Sequence, residues 1–297
     1  MRNIKLIIEY DGTNYAGWQI QNSCKPQAAS CESKTIQEII EKTIQRILQE
    51  KIKIIGSGRT DSGVHAFAQA ANFKTISGLP ISKIQKALNS LLPSDISIKE
   101  IGEADKDFHS RYSAKSKTYR YFILNSEIKS AFLNKHVWHI PYQLNVLLMR
   151  KEARALLGRH DFKSFRASGS SAKTTVRTVK KLSIKTLSYK LSPPKAGPPT
   201  AETINHSRQS RDPDLWLWLY GKPNHCLTGL SGKLIIIDIE SNGFLYNMVR
   251  NIVGTLVEIG RGRFLEGSLK KILLAKNREQ AGPTAPAQGL FLVEVKY

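Results

Sequence analysis

The sequence predicts a mixed α/β or α+β protein, and three observations carry that expectation. Apolar strand-like runs alternate with amphipathic helical runs through the first hundred or so residues. A similar order of elements returns further on, without residue-level repetition. The chain of 297 residues, 41% hydrophobic, is long enough to bury one large or two small cores.

Ile4 to Tyr10 reads as the first strand. Thr35-Ile36-Gln37-Glu38 has the capping-box pattern, and Ile36, Ile39, Ile40, Ile44, Ile47 and Leu48 fall on one helical face behind it. Ile52 to Ile55 reads as a strand. After a glycine-rich loop, Val64 to Phe73 reads as another. Ser82 is placed to cap a helix running to Leu91, which Pro93 stops, and Ile96 to Ile101 follows as a strand. In the second half, Lys117 to Leu124, Val176 to Ile184, Lys233 to Glu240 and Gly289 to Val295 are strand-like. Helices are expected over Val146 to Leu157, Phe244 to Ile259 and Leu269 to Ala275.

The formal net charge is +21. An excess this large implies an anionic partner, and no basic amphipathic helix with a broad apolar face points to a membrane surface. Cys24, Cys31 and Cys226 are odd in number and widely spaced, so neither a disulfide framework nor a zinc knuckle is suggested. Charges interrupt Met1 to Glu9 too early for a signal-peptide core, and no apolar run is long enough to span a bilayer. A cytoplasmic location is expected. His136 and His139 could share a helix face, but no Glu or Cys ligand lies nearby and Pro141 ends the pattern, so no metal is expected. The GxxxxGK[ST] phosphate loop is absent.

The stretch with most chemistry is Ser57-Gly58-Arg59-Thr60-Asp61-Ser62-Gly63-Val64-His65. Its glycines permit a tight turn close to a ligand, and it sets a carboxylate two residues from a guanidinium. Asp61 there can serve as nucleophile or base. Arg250 lies in an otherwise apolar helix beside Met248, Val249, Ile252 and Val253. A cation buried among them needs a counter-charge, and pairing with Asp61 would keep that carboxylate ionised by lowering its pKa. Strand alternation puts Tyr119 and Tyr121 on one face of Lys117-Thr118-Tyr119-Arg120-Tyr121, with Arg120 opposite. Arg111, Lys115, Lys117, Lys163, Arg166, Lys173, Arg177, Lys180 and Lys181 are candidate phosphate contacts. Asp11, Asp105 and Asp107 are the competing carboxylates, read as capping or solvated groups, and His65 is read as structural.

Further blocks accompany the loop: Glu9-Tyr10-Asp11-Gly12-Thr13-Asn14-Tyr15-Ala16-Gly17-Trp18-Gln19, Phe108 to Ala114, His160-Asp161-Phe162, Asn242 to Gly254, and Gly282 to Pro286 with Gly289-Leu290. With Gly58 to Ala66 and Lys117 to Tyr121, and in this order, they resemble the TruA-type tRNA pseudouridine synthases over nearly the whole chain. The resemblance implies an α+β fold of two ferredoxin-like halves whose sheets join into one, with helices flanking and the catalytic cleft between halves. The halves would be residues 1–108 and 109–297. It implies isomerisation of uridine to pseudouridine in the anticodon stem-loop of tRNA, at positions 38, 39 and 40, by a homodimer without metal or other cofactor. It matches the family's essential carboxylate to Asp61 and its base-stacking tyrosine to Tyr119. Arg59 would then fill the space of an extruded base, with Arg111 and Lys117 also binding substrate.

Residues from about 186 to 232 depart from the family pattern as a Pro-rich insertion, with half of the 12 prolines between Pro193 and Pro223. Trp216 and Trp218 within it are spaced to share one face of a short strand. Asn22 to Lys34 also runs longer than the family needs.

Overall fold

The computed structural model describes residues 1–20, 34–169, 172–189 and 232–297. In the first half, β1 (Arg2–Tyr10) leads to α1 (Ile36–Leu48), β2 (Ile55–Gly56), β3 (His65–Thr75), α2 (Ile81–Leu91) and β4 (Ile96–Ala104). The second half holds β5 (Ser116–Ser126), β6 (Trp138–Ile140), α3 (Val146–Ala153), β7 (Gly158–Asp161), β8 (Val176–Tyr189) and β9 (Gly232–Ser241). It ends with α4 (Met248–Gly260), α5 (Ser268–Ala275) and β10 (Leu290–Lys296).

All ten strands form one mixed sheet in the order β4-β1-β3-β10-β5-β9-β8-β7, with β2 on β3 and β6 on β5. The strand order within each half is that of a ferredoxin-like unit: β4-β1-β3-β2 in the first, β10-β5-β9-β8 in the second. The joint between them is a short parallel pairing, Phe291 to His65 and Leu292 to Ala66. It falls where β3 emerges from the glycine-rich loop, so the loop sits on the seam. The main core runs across the seam. It joins Ile4, Leu6 and Ile8 of β1 and Ile36, Ile40 and Ile44 of α1 to Ile235, Ile237 and Ile239 of β9 and Ile252, Leu256 and Val257 of α4. A smaller cluster of Phe122, Leu124, Leu234, Ile236 and Phe291 lies on the other sheet face, closed by Leu133 and Val137.

Several elements differ from expectation for local reasons. Of the expected Ile52–Ile55 strand only Ile55 joins the sheet, together with Gly56. Side chains of α1 take the backbone groups before it: Glu41 accepts from Ile54 N–H at 2.8 Å, Gln37 donates to Ile54 O at 3.2 Å, and Gln45 to Ile52 O at 2.9 Å. Helix α2 starts at Ile81 behind Pro80, so Ser82 lies inside it and is not its cap. Helix α3 tightens into a 3-10 turn at Arg154–Leu156. Helix α4 begins four residues later than expected, because Asn247 takes a left-handed φ of 58°. His136 and His139 do not share a helix face. Instead His139 is on β6, its Nε2 donating to Ser126 O at 2.8 Å, and His136 precedes that strand. Strand β8 reaches Tyr189 and pairs there with Gly232, so residues 186–189 belong to the sheet and the Pro-rich stretch starts after them. Trp216, Trp218 and Asn22 to Glu32 lie outside the described residues.

Candidate active site

The loop between β2 and β3 is held on three sides. Ser57 N–H donates to Ala70 O at 2.8 Å, Ser57 Oγ to Gln69 Oε1 at 2.7 Å, and Gln69 Nε2 to Gly58 O at 2.9 Å. The turn after β1 grips the loop's middle. Trp18 N–H donates to Thr60 O at 3.1 Å, Tyr10 Oη and Thr60 Oγ1 share a buried hydrogen bond of 2.8 Å, and Ser62 Oγ donates to Tyr15 O at 3.0 Å. Two glycines allow this approach. A Cβ on Gly12 would lie 2.0 Å from Val64 O, and one on Gly17 (φ +90°) would lie 2.4 Å from Thr60 O. The N-terminal block is therefore the outer wall of the loop.

This packing sets Asp61 against α4. Arg250 Nη1 is 3.4 Å from Asp61 Oδ2, with the carboxylate side chain 24% exposed and the guanidinium 18%. Arg250 is itself fixed by Nε donating to Ala285 O at 2.7 Å and Nη1 to Asn247 Oδ1 at 3.1 Å. The expected pairing is present, but its expected effect on the carboxyl is not. Burial raises the Asp61 pKa and outweighs the opposing charge and hydrogen bond of Arg250, because the contact is long. Replacing Arg250 with Met removes a charge and a hydrogen bond that lower the carboxyl pKa. The acid limb of kcat/KM is expected to move to higher pH in Arg250→Met, with a rate loss of about tenfold or more; a pH–rate profile checks it.

Tyr119 of β5 is buried, and Phe244 meets its ring edge-on at 5.0 Å and 86°. Burial, then the nearby Tyr10 and the charge of Asp61, push its hydroxyl far above the usual tyrosine range, so it stays a neutral phenol. Tyr121 shares its face and donates to Pro286 O at 2.7 Å. Arg120 points to the other face and makes a two-pronged ion pair with Asp238 at 2.7 and 3.1 Å. Arg59 is exposed beside Asp61 and has no hydrogen bond or ion pair among the described residues. Arg111 is exposed, its guanidinium 5.7 Å from the ring centre of Tyr112. Lys117 does not reach solvent freely: its Nζ donates to Ser57 O. Of the dispersed cations, Lys163, Lys173, Lys180 and Lys181 are exposed, while Arg177 is tied to Thr174 and Val176 carbonyls at 3.0 and 2.6 Å.

Asp11, read from sequence as a capping or solvated group, and His65, read as structural, meet His136. Asp11 Oδ1 lies 3.0 Å from His65 Nδ1, and Oδ2 lies 2.9 Å from His136 Nε2. Thr13 donates to Asp11 through its backbone N–H at 2.9 Å. Burial works to raise this carboxyl, but the hydrogen bonds of His136, His65 and Thr13 together hold it well below the carboxylate range. His65 stacks on Phe291 at 4.5 Å. These three residues are the one potential metal-ligand set among the described residues, with donor atoms within 4.8 Å. The Gly12 N–H aims at His65 Nδ1 at 3.1 Å, which opposes a cation at that nitrogen. The group braces β1, β3 and the segment before β6 at the seam. No spacing in the sequence links His136 to Asp11; only the fold does.

A carboxylate paired with a half-buried arginine thus lies beside a neutral tyrosine at the seam of a basic α+β protein, next to an arginine that is unpaired among the described residues. Comparison with known proteins makes the class definite. The family model described as tRNA pseudouridine synthase matches residues 6–113 and 153–297. The tRNA pseudouridine synthase A of Acetivibrio thermocellus is 43% identical over the full length of both chains. Those of Thermoanaerobacter sp. and Caldicellulosiruptor saccharolyticus are each 40% identical, again over both chains in full. The chain belongs to the tRNA pseudouridine synthase family, isomerases that act on uridine in tRNA.

Proposed function

We propose that the protein converts uridine to pseudouridine at positions 38, 39 and 40 of the tRNA anticodon arm, acting as a cytoplasmic homodimer. The observation that carries this reading is the Asp61–Arg250 pair at the seam, 3.4 Å apart, with Tyr119 beside it. In the reaction the bond from ribose C1′ to uracil N1 breaks, the base turns, and C1′ bonds to C5. The C5 proton leaves to solvent and N1 regains one, so atoms balance without a redox partner.

Asp61 is the nucleophile that opens this sequence. Arg250 holds it in place and favours its charged form. Tyr119 offers a ring face to the uracil and keeps its own proton. Arg59, exposed and unpaired among the described residues, occupies the space an extruded base vacates and meets its phosphate. Arg111, exposed and near enough for its charge to act on Lys117, is a further contact for the phosphate backbone. The net charge of +21 draws the polyanion, and among the described residues no helix is long and apolar enough to cross a membrane.

Tritium release from a tRNA transcript carrying C5-labelled uridine tests the reading. Release is expected, because C5 loses its hydrogen only when the base rejoins through that carbon. Tight tRNA binding without release would replace this proposal with a non-catalytic tRNA binder.

A further inference from the structure

Lys117 occupies an unusual position for a surface phosphate contact. On β5 it stands between Ser241 of β9 and Val295 of β10. Its side chain runs inward, and Nζ donates to the carbonyl of Ser57, where the chain enters the catalytic loop. No ion pair is formed by this ammonium among the described residues. The loop has made room for it. A Cβ on Gly58 would lie 2.8 Å from Lys117 Nζ and 3.7 Å from its Cε. Gly58 has no left-handed φ, so space, not backbone conformation, accounts for the missing side chain. The neighbouring carbonyl, Gly58 O, is held by Gln69 from the same half. Lys117 instead reaches the loop from the other half of the protein.

We propose that Lys117 is a positioning residue: its ammonium crosses the seam and fixes the Ser57 carbonyl, and so sets the conformation in which the loop presents Asp61 to Arg250. This rests on Asp61 being the reacting carboxylate. A charged donor holds a carbonyl more firmly than a neutral amine. Burial, then the positive charge of Arg111, lowers the Lys117 pKa to about 8. Its other close neighbours, Ser57, Gly58, Ser241 and Val295, do not titrate in this range. Tyr119, two residues along the same strand face, stays protonated. The grip therefore weakens as pH rises through about 8.

The test compares wild type, Lys117→Met, Gly58→Ala and the double variant by tritium release. Single-turnover rates are taken at saturating enzyme, kcat/KM across neutral to alkaline pH, and tRNA affinity separately. Lys117→Met trades a half-buried charge, without an ion pair among the described residues, for an apolar chain of similar length and is expected to stay folded. Gly58→Ala displaces the same ammonium from the loop side and serves where the first variant does not fold. Each single variant is expected to lose about 10- to 100-fold in single-turnover rate with tRNA affinity retained. Each should also lose the wild-type decline in kcat/KM above about pH 8, and the double variant should be no slower than the slower single. A weaker tRNA complex with unchanged rate at saturation would make Lys117 a substrate contact and overturn the proposal. Persistence of the alkaline decline in Lys117→Met, or additive losses, would overturn it as well. An inactive wild type would instead sink the functional reading beneath it.

Discussion

Asp61→Asn is expected to abolish tritium release while leaving the protein folded and bound to tRNA. The loss should be about 10³-fold or more, as when a reacting group itself is removed. The amide is nearly the same size and keeps an oxygen for Arg250, whose other contacts to Ala285 O and Asn247 Oδ1 remain. Stability should not fall. Burial raises the Asp61 pKa in the folded protein, so its contribution to stability is present below the unfolded-state pKa and is lost as pH rises through the folded one. At neutral pH the carboxylate is thus a cost, and the neutral amide removes it. A melting temperature equal to or above that of wild type, with no measurable product, is the expected pair of results. Substantial residual turnover would assign the chemistry elsewhere.

The second large effect is on stability. Gly254 lies inside α4, and a Cβ there would sit 1.7 Å from Pro283 O and 2.9 Å from Pro283 C. The clash is with backbone that cannot swing aside. The segment carrying Pro283 is pinned to α4 by Ala285 N–H to Arg250 O at 3.1 Å, Gly282 N–H to Thr255 Oγ1 at 2.9 Å and Thr284 Oγ1 to Asn251 Oδ1 at 2.6 Å. Ala favours helix over Gly by about 1 kcal/mol, but overpacking typically costs about 1–3 kcal/mol, and a clash with pinned backbone lies at the upper end. Thermal unfolding of Gly254→Ala should show a fall of roughly 5–10 °C. Activity should drop too, because moving this segment displaces the Ala285 carbonyl that holds the Arg250 side chain. An unchanged melting temperature would mean the segment yields without cost.

The parts of this site that sequence made legible are those with a local signature. The loop could be read because glycine, arginine and aspartate crowd into nine residues, and Arg250 because a cation amid aliphatic neighbours demands an explanation. The pKa direction of Asp61 was not legible, since it turns on a 3.4 Å separation weighed against burial. Strands β6 and β7 are too short to show a period. The Ile52–Ile54 stretch looks like a strand, yet α1 side chains satisfy its backbone in place of a neighbouring strand. The function of Lys117 was hidden for another reason: its partner is a carbonyl, which every residue has. The Asp11 brace likewise needed the fold to bring His136 beside β1.

The seam between halves rests on Phe291 and Leu292 of β10, the last strand, seated against His65 and Ala66. Asp61 comes from one side of that joint and Arg250, Tyr119 and Lys117 from the other. During synthesis the loop is made early and its counterparts late. Pairing between residues far apart in the chain brings the two parts of the site together. A site divided in this way is complete only while the joint holds, so loosening it would part the carboxylate from its partners without touching either.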